Sequence, residues 1–254
     1  MPSLNILSSG SSGNSSFIKY GNKIIFIDIG IRKNRSENSL KDVSLEGKDI
    51  FLFITHEHSD HIVGLNYFLK RYKPFVFSSE GTADILNTKG VDVDNFYMLG
   101  HDSIYTINDF DVLAFELLHD GAEPLGFKFM FKDKSITFAT DFGTVTRTVM
   151  DYLNDSTMLI LESNYEDKLL INGHYPSYVK KRIRSSKGHL SNKDAVNLIS
   201  SLDSSKVENI LLAHVSEDNN DYMLLEKYTD FCSKHFGIST AYLKQGESKM
   251  GIEV

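Results

Sequence analysis

The run Phe51-Leu52-Phe53-Ile54-Thr55-His56-Glu57-His58-Ser59-Asp60-His61 constrains the chain more than any other segment. Its first four residues are continuously apolar and read as a buried strand, and the helical spacing of apolar residues over 61–72 begins where it ends. Between them the sequence concentrates imidazole and carboxylate groups at a strand-to-helix turn. Alternate side chains of an extended segment share a face, so His56 and His58 point the same way. The chain then turns, and Asp60 and His61 open the helix on the other side of a pocket. Four nitrogen and oxygen donors at this spacing suit a pair of metal ions.

The rest of the chain supplies the scaffold. Apolar alternation or β-branched runs predict strands over 23–29, 50–54, 75–77, 110–118, 126–131, 135–139, 158–161 and 207–213. Helical spacing predicts helices over 61–72, 81–86, 145–153, 192–202 and 222–236. Two batches of strands, each followed by helices, suit an α/β architecture, an αββα four-layer sandwich. The Ser/Gly-rich stretch 8–16 lies between two short strand candidates and reads as a tight loop. At 254 residues and 41% hydrophobic, with no repeat or composition break, the chain is expected to form a single domain over 1–254. The one cysteine, Cys232, excludes an internal disulfide and a multi-thiolate zinc site, so metal ligands must be His and carboxylate. No stretch approaches a membrane span and the N-terminus lacks the pattern of a secretory signal, so a cytoplasmic protein is expected. A net charge of -7 excludes a surface that binds nucleic acid by charge all over.

Four further residues end predicted strands in order along the chain: Asp28, His119, Asp141 and His214. With H-x-H-x-D-H, they make the sequence resemble the metallo-β-lactamase superfamily. Carried over by position, the resemblance implies that His56, His58 and His119 hold one divalent ion, Asp60, His61 and His214 hold another, and Asp141 bridges them. Asp28 would orient a ligand or the Asp60 loop without touching metal. His101 competes with His119, but His119 is followed by Glu123-Pro124-Leu125-Gly126-Phe127, as expected of the nuclease branch. The two ions would be zinc, manganese or iron, between which an N/O ligand set does not choose.

Segments across most of the chain resemble the YycJ/WalJ group of exonucleases. They are Ser8–Ser15, the His cluster, His119-Asp120-Gly121-Ala122-Glu123-Pro124, Ala139–Gly143, Leu161–Tyr165, Gly188–Asn192 and His214-Val215-Ser216 with Asn219-Asn220. Gly121 and Val215 depart from that pattern, where Ala and Leu are expected. The resemblance implies 5′-to-3′ hydrolysis of DNA by attack of metal-activated hydroxide on phosphorus, with Asp60 accepting its proton. The segment 188–216 also resembles the tRNA 3′-processing endonucleases, which would place His189 at the scissile phosphate or leaving oxygen. The alternative is that His189 merely caps its helix beside Ser191 and Asn192. The acid-free stretch 176–190 offers Lys180, Lys181, Arg182 and Arg184 to a nucleic-acid backbone, or forms a solvated helix face. Ser11, Ser12 and Asn14 are candidates to receive an anion in the N-terminal loop. Glu162 and Asn164 end a buried strand, with pocket lining and a polar strand end both open. A thioester or lactam hydrolase is the alternative reading of the function. A di-iron reductase of this fold would carry Glu at position 58, and His58 speaks against it. Oligomeric state is not legible.

Overall fold

The structure is a computed structural model that describes residues 1–254. In chain order the first elements are β1 (Ser3–Ser8), β2 (Ser15–Tyr20), β3 (Lys23–Ile27), α1 (Lys33–Leu40), β4 (Asp49–Phe53), α2 (Ser59–Ile62), α3 (Leu65–Tyr72), β5 (Phe75–Ser78), α4 (Glu80–Thr88) and β6 (Phe96–Met98). They are followed by β7 (Ser103–Ile107), β8 (Phe110–Glu116), β9 (Leu125–Phe131), β10 (Lys134–Ala139), α5 (Arg147–Leu153), β11 (Met158–Glu162), α6 (Asp167–Asn172) and α7 (Ser177–Ile183). The last are α8 (Asn192–Ser200), β12 (Asn209–Ala213), α9 (Tyr222–Phe236), β13 (Ser239–Tyr242) and β14 (Lys249–Glu253). The chain, read from sequence as one domain, comprises two compact units: residues 1–103 with 121–125 and 246–254, and residues 104–120 with 126–245.

The first unit is built on a seven-stranded sheet in the order β14-β1-β2-β3-β4-β5-β6. β1, β2 and β14 run antiparallel to their neighbours, whereas β3, β4, β5 and β6 are parallel. Its core joins Phe17, Phe26, Leu52 and Val76 of the sheet to Leu65 and Phe68 of α3 and Leu86 of α4. The Phe68 ring meets Phe26 edge-on at 4.7 Å, a favourable aromatic geometry.

The second unit holds the other seven-stranded sheet, β13-β12-β11-β10-β9-β8-β7, with β10 to β13 parallel and β9 antiparallel to β10. Val149 and Leu153 of α5, Ala195, Leu198 and Ile199 of α8 and Leu225 of α9 pack with Leu159, Leu161, Ile210 and Leu212 of the sheet. In each unit the parallel strands point their carboxyl ends at loops that carry polar residues, the place where open α/β sheets bind ligands.

The predicted strands and most predicted helices are present. The helix expected over 61–72 is instead two, α2 and α3, broken at Gly64. The Gly64 amide donates to the Ile29 carbonyl at 2.9 Å, and a Cβ there would lie 2.1 Å from the Ile31 carbonyl. The apolar period continues through this close approach, but a regular helix cannot. No helix of the structure is long and apolar enough to cross a membrane.

Phe68→Ala should cost about 3–5 kcal/mol, the range for emptying a buried phenylalanine site. Urea unfolding followed by far-ultraviolet circular dichroism measures it.

Candidate metal centre

In the first unit, β4 ends at Phe53, and the chain stays extended through His58, which precedes α2. His56 Nε2 and His58 Nδ1 lie 3.0 Å apart. Two donors about 2.1 Å from a tetrahedral ion sit roughly 3.4 Å from each other, so the pair fits one cation. Glu57 points the other way. Its carboxylate accepts from the Ala122 amide at 2.9 Å, and its carbonyl accepts from Lys89 Nζ at 2.7 Å. The acid in the middle of the cluster therefore anchors the 121–125 segment.

Asp28 follows β3 with φ of 56° and is 3% exposed. One carboxylate oxygen accepts the Thr55 amide at 2.8 Å, and the other lies 2.7 Å from both Thr55 Oγ1 and His61 Nδ1. Holding Nδ1 leaves His61 Nε2 on the opposite side of the ring, 3.5 Å from Asp60 Oδ2. Asn14 reaches the same two groups, with its Nδ2 3.2 Å from Asp60 Oδ2 and 3.1 Å from His61 Nε2. The N-terminal loop is thus fastened to the cluster: the Asn14 amide donates to the Asp60 carbonyl at 2.7 Å, and Gly30 donates to the Asn14 carbonyl at 2.8 Å. Gly30 must lack a side chain, because a Cβ would fall 1.7 Å from the Asp60 carbonyl oxygen. Ser11 and Ser12 lie exposed at the tip of this loop. His101, the competitor for a ligand position, is exposed and pairs with Asp102 at 3.1 Å.

In the second unit, Asp141, Glu162, His189 and His214 place donor atoms within 4.8 Å of one another. Each stands at or just past a strand or loop that feeds one end of the sheet: Asp141 after β10, Glu162 closing β11, His214 after β12 and His189 before α8. Asp141 Oδ1 lies 3.3 Å from His214 Nδ1, 3.7 Å from His189 Nδ1 and 3.9 Å from His119 Nε2. His119 is 3% exposed, with Nδ1 3.0 Å from the Gly188 carbonyl. Like Asp28, Asp141 and His214 hold positive φ, 64° and 53°. Such backbone is rare outside glycine and clusters where a side chain must be aimed.

Sequence reasoning left Glu162 undecided, and the structure makes it the hub. It is fully buried. Oε1 lies 2.8 Å from both His189 Nδ1 and His214 Nδ1, and Oε2 accepts the Phe142 and Leu190 amides at 3.0 and 3.1 Å. Burial pushes its carboxyl up, but the charge and hydrogen bond of His189 and the hydrogen bond of His214 outweigh that. The result lies below the ordinary 4.5. An acid closing the apolar strand Met158-Leu159-Ile160-Leu161 was the available signal. Asn164 also has a defined partner, its side-chain amide donating to the His214 carbonyl at 2.8 Å.

The basic run is largely engaged within the unit. Lys180 Nζ donates to the Ile171 and Gly173 carbonyls at the end of α6, at 2.8 and 2.6 Å. Arg182 forms a two-point pair with Asp120, and Arg184 lies 3.6 Å from Asp167. Lys181 is exposed. His189 does not cap α8; Ser191 does, accepting from the Asp194 amide.

The donors in both units are imidazole and carboxylate, as a divalent ion of borderline hardness requires. A family described as a beta-lactamase superfamily domain matches residues 30–215. The chain belongs to the beta-lactamase superfamily. It is a metal-dependent hydrolase with the metallo-β-lactamase fold, the αββα class expected from its strand and helix pattern. Within the superfamily it is similar to the exodeoxyribonuclease YycJ of Bacillus anthracis, at 30% identity over 218 residues, 85% of this chain and 83% of that protein. It is 31% identical over 220 residues to the exodeoxyribonuclease WalJ of Streptococcus pneumoniae serotype 2, covering 85% of this chain and 82% of that one. The metallo-β-lactamase fold protein YhfI of Bacillus subtilis shares the fold, with a TM-score of 0.70, 13% identity and coverage of 98% and 99%.

Glu162→Gln tests the hub. An amide offers an acceptor on one side only, so either its NH2 faces the two backbone amides, or it faces the two imidazoles and makes their Nδ1 atoms accept, which moves each ring proton to the Nε2 atom. The variant should lose about 1–3 kcal/mol of stability and about 10–100-fold in metal affinity, read by equilibrium unfolding and metal titration. Because the folded carboxyl is depressed, the stability gap from the parent should be full above pH 4.5 and close as pH falls further.

Proposed function

We propose that the protein is a two-metal phosphodiesterase that digests DNA from its 5′ end. The relation to two exodeoxyribonucleases over most of the chain favours this substrate, and one observation favours the reaction: a buried carboxylate holds His189 and His214 through their Nδ1 atoms. His214 is thereby set to offer Nε2 to a cation. His189 keeps 15% of its side chain exposed, enough for its ring to meet a substrate.

In this reading His56, His58 and His119 would hold one ion, and Asp60, His61 and His214 would hold the second. Asp141 would serve both ions, and residues 1–254 would act as a single domain. When bound, two zinc, manganese or iron ions supply Lewis acidity toward a phosphate oxygen and make a water acidic enough to attack at neutral pH. Asp60 would also accept a proton from the attacking water. His189, oriented by Glu162, donates a proton to the departing oxygen and contacts the scissile phosphate. Asp28 keeps His61 in the tautomer that frees Nε2. Ser11, Ser12 and Asn14 belong to the loop fastened to Asp60, where the two hydroxyls would meet a neighbouring phosphate. The enzyme acts in the cytoplasm.

Thioester or lactam hydrolysis could use the same ions. The two exodeoxyribonuclease relatives favour the phosphodiester instead.

Asp60→Ala, Asp141→Ala and His214→Ala should each abolish hydrolysis of end-labelled DNA while leaving the far-ultraviolet spectrum intact. Asp60 lies in the single-turn helix α2, and Asp141 and His214 stand just past β10 and β12, so none of them belongs to the apolar cores. Labelled single- and double-stranded DNA and RNA, digested with zinc-, manganese- or iron-loaded protein, test substrate and polarity together. Hydrolysis of a lactam or thioester but of no nucleic acid would overturn the proposal. Because imidazole ligands must be neutral, activity of the loaded enzyme should fall as pH drops through the histidine range near 6.5.

A further inference from the structure

Between β11 and α8 the second unit makes an excursion through α6 and α7. A bridge between Tyr165 and Ser191 closes its base, and Tyr165, Leu170 and Ile183 form a small apolar cluster with Tyr175 and Val179. The excursion ends at the centre, where the His189 amide donates to the Ile183 carbonyl at 2.9 Å.

Three of its cations work as fasteners. Lys180 closes the end of α6, Arg182 ties α7 to Asp120 beside His119, and Arg184 reaches back to Asp167. The outward face of α7 then carries a large aromatic. Tyr178 is 75% exposed, and Lys181, one turn later on the same face, is exposed as well. From Tyr178 to Ile183 is five helical steps, about 7.5 Å along the axis.

We propose that Tyr178 is a stacking platform for an unpaired base, with Lys181 on the adjoining phosphate, on the same strand whose scissile bond is presented to His189. The occupant is a single strand because a base within a duplex has no face to offer. The recessed donors agree, since Asp141 and His214 are each only 3% exposed in their side chains and favour a strand that can be drawn in. An aromatic face accepts every base, so the platform grips without reading sequence. The inference takes the chemistry of its occupant from the nuclease reading.

Fluorescence anisotropy with the full chain in EDTA separates the two. The probes are a fluorescein-labelled 20-nucleotide oligothymidylate and an abasic strand of the same length. Tyr178→Ala should weaken oligothymidylate binding about 10-fold, Tyr178→Phe should bind as the parent does, and the abasic strand should not distinguish them. Lys181→Ala should weaken both probes alike. If Tyr178→Ala binds oligothymidylate like the parent, the inference is overturned while the nuclease reading stands. If the Tyr178 dependence appears but the metal-loaded parent cleaves no nucleic acid, the platform stands and the nuclease reading falls. Failure of the parent to bind oligothymidylate overturns the platform, and digestion by the metal-loaded parent decides the nuclease reading separately.

Discussion

The structure depends on buried carboxylates that grip imidazoles by Nδ1. A charged acid removed from water must be surrounded by donors, and Asp28 and Glu162 are each satisfied by ring nitrogens together with backbone amides. The same hydrogen bonds fix which ring nitrogen faces outward. Folding and ligand orientation are therefore one event in each unit.

This device occurs twice at equivalent places. Asp28 leaves a parallel strand of the first sheet, and Glu162 closes a parallel strand of the second. Side chains at the carboxyl ends of neighbouring parallel strands are brought side by side by the sheet itself, however far apart they lie in sequence. Glu162 and His214 are 52 residues apart and meet because β11 and β12 are adjacent. The helices between them supply the apolar cover that keeps the strands in register, and the loops carry the chemistry.

What could be read in the sequence followed the range of the interactions. The cluster at 56–61 was legible because its donors are contiguous, and the strands because their apolar runs are long. Asp28, His119, Asp141 and His214 were visible only as strand-end residues whose order resembles a known pattern. Glu162 was not resolved, since an acid closing an apolar strand looks the same whether it meets solvent or two imidazoles. The basic run was legible only as a charge pattern. Composition shows the cations of Lys180, Arg182 and Arg184 but not the carbonyls and acids, some of them distant in sequence, that engage them. Helices α6 and α7 span six and seven residues, too short for apolar periodicity to declare itself.

Asp28, Asp141 and His214 all occupy left-handed backbone, which costs a non-glycine residue about 1 kcal/mol or more. Glycine would relax each of these turns and remove the group that the turn exists to aim. Keeping Asp and His there maintains a standing tension between durability and chemistry, concentrated in three backbone torsions.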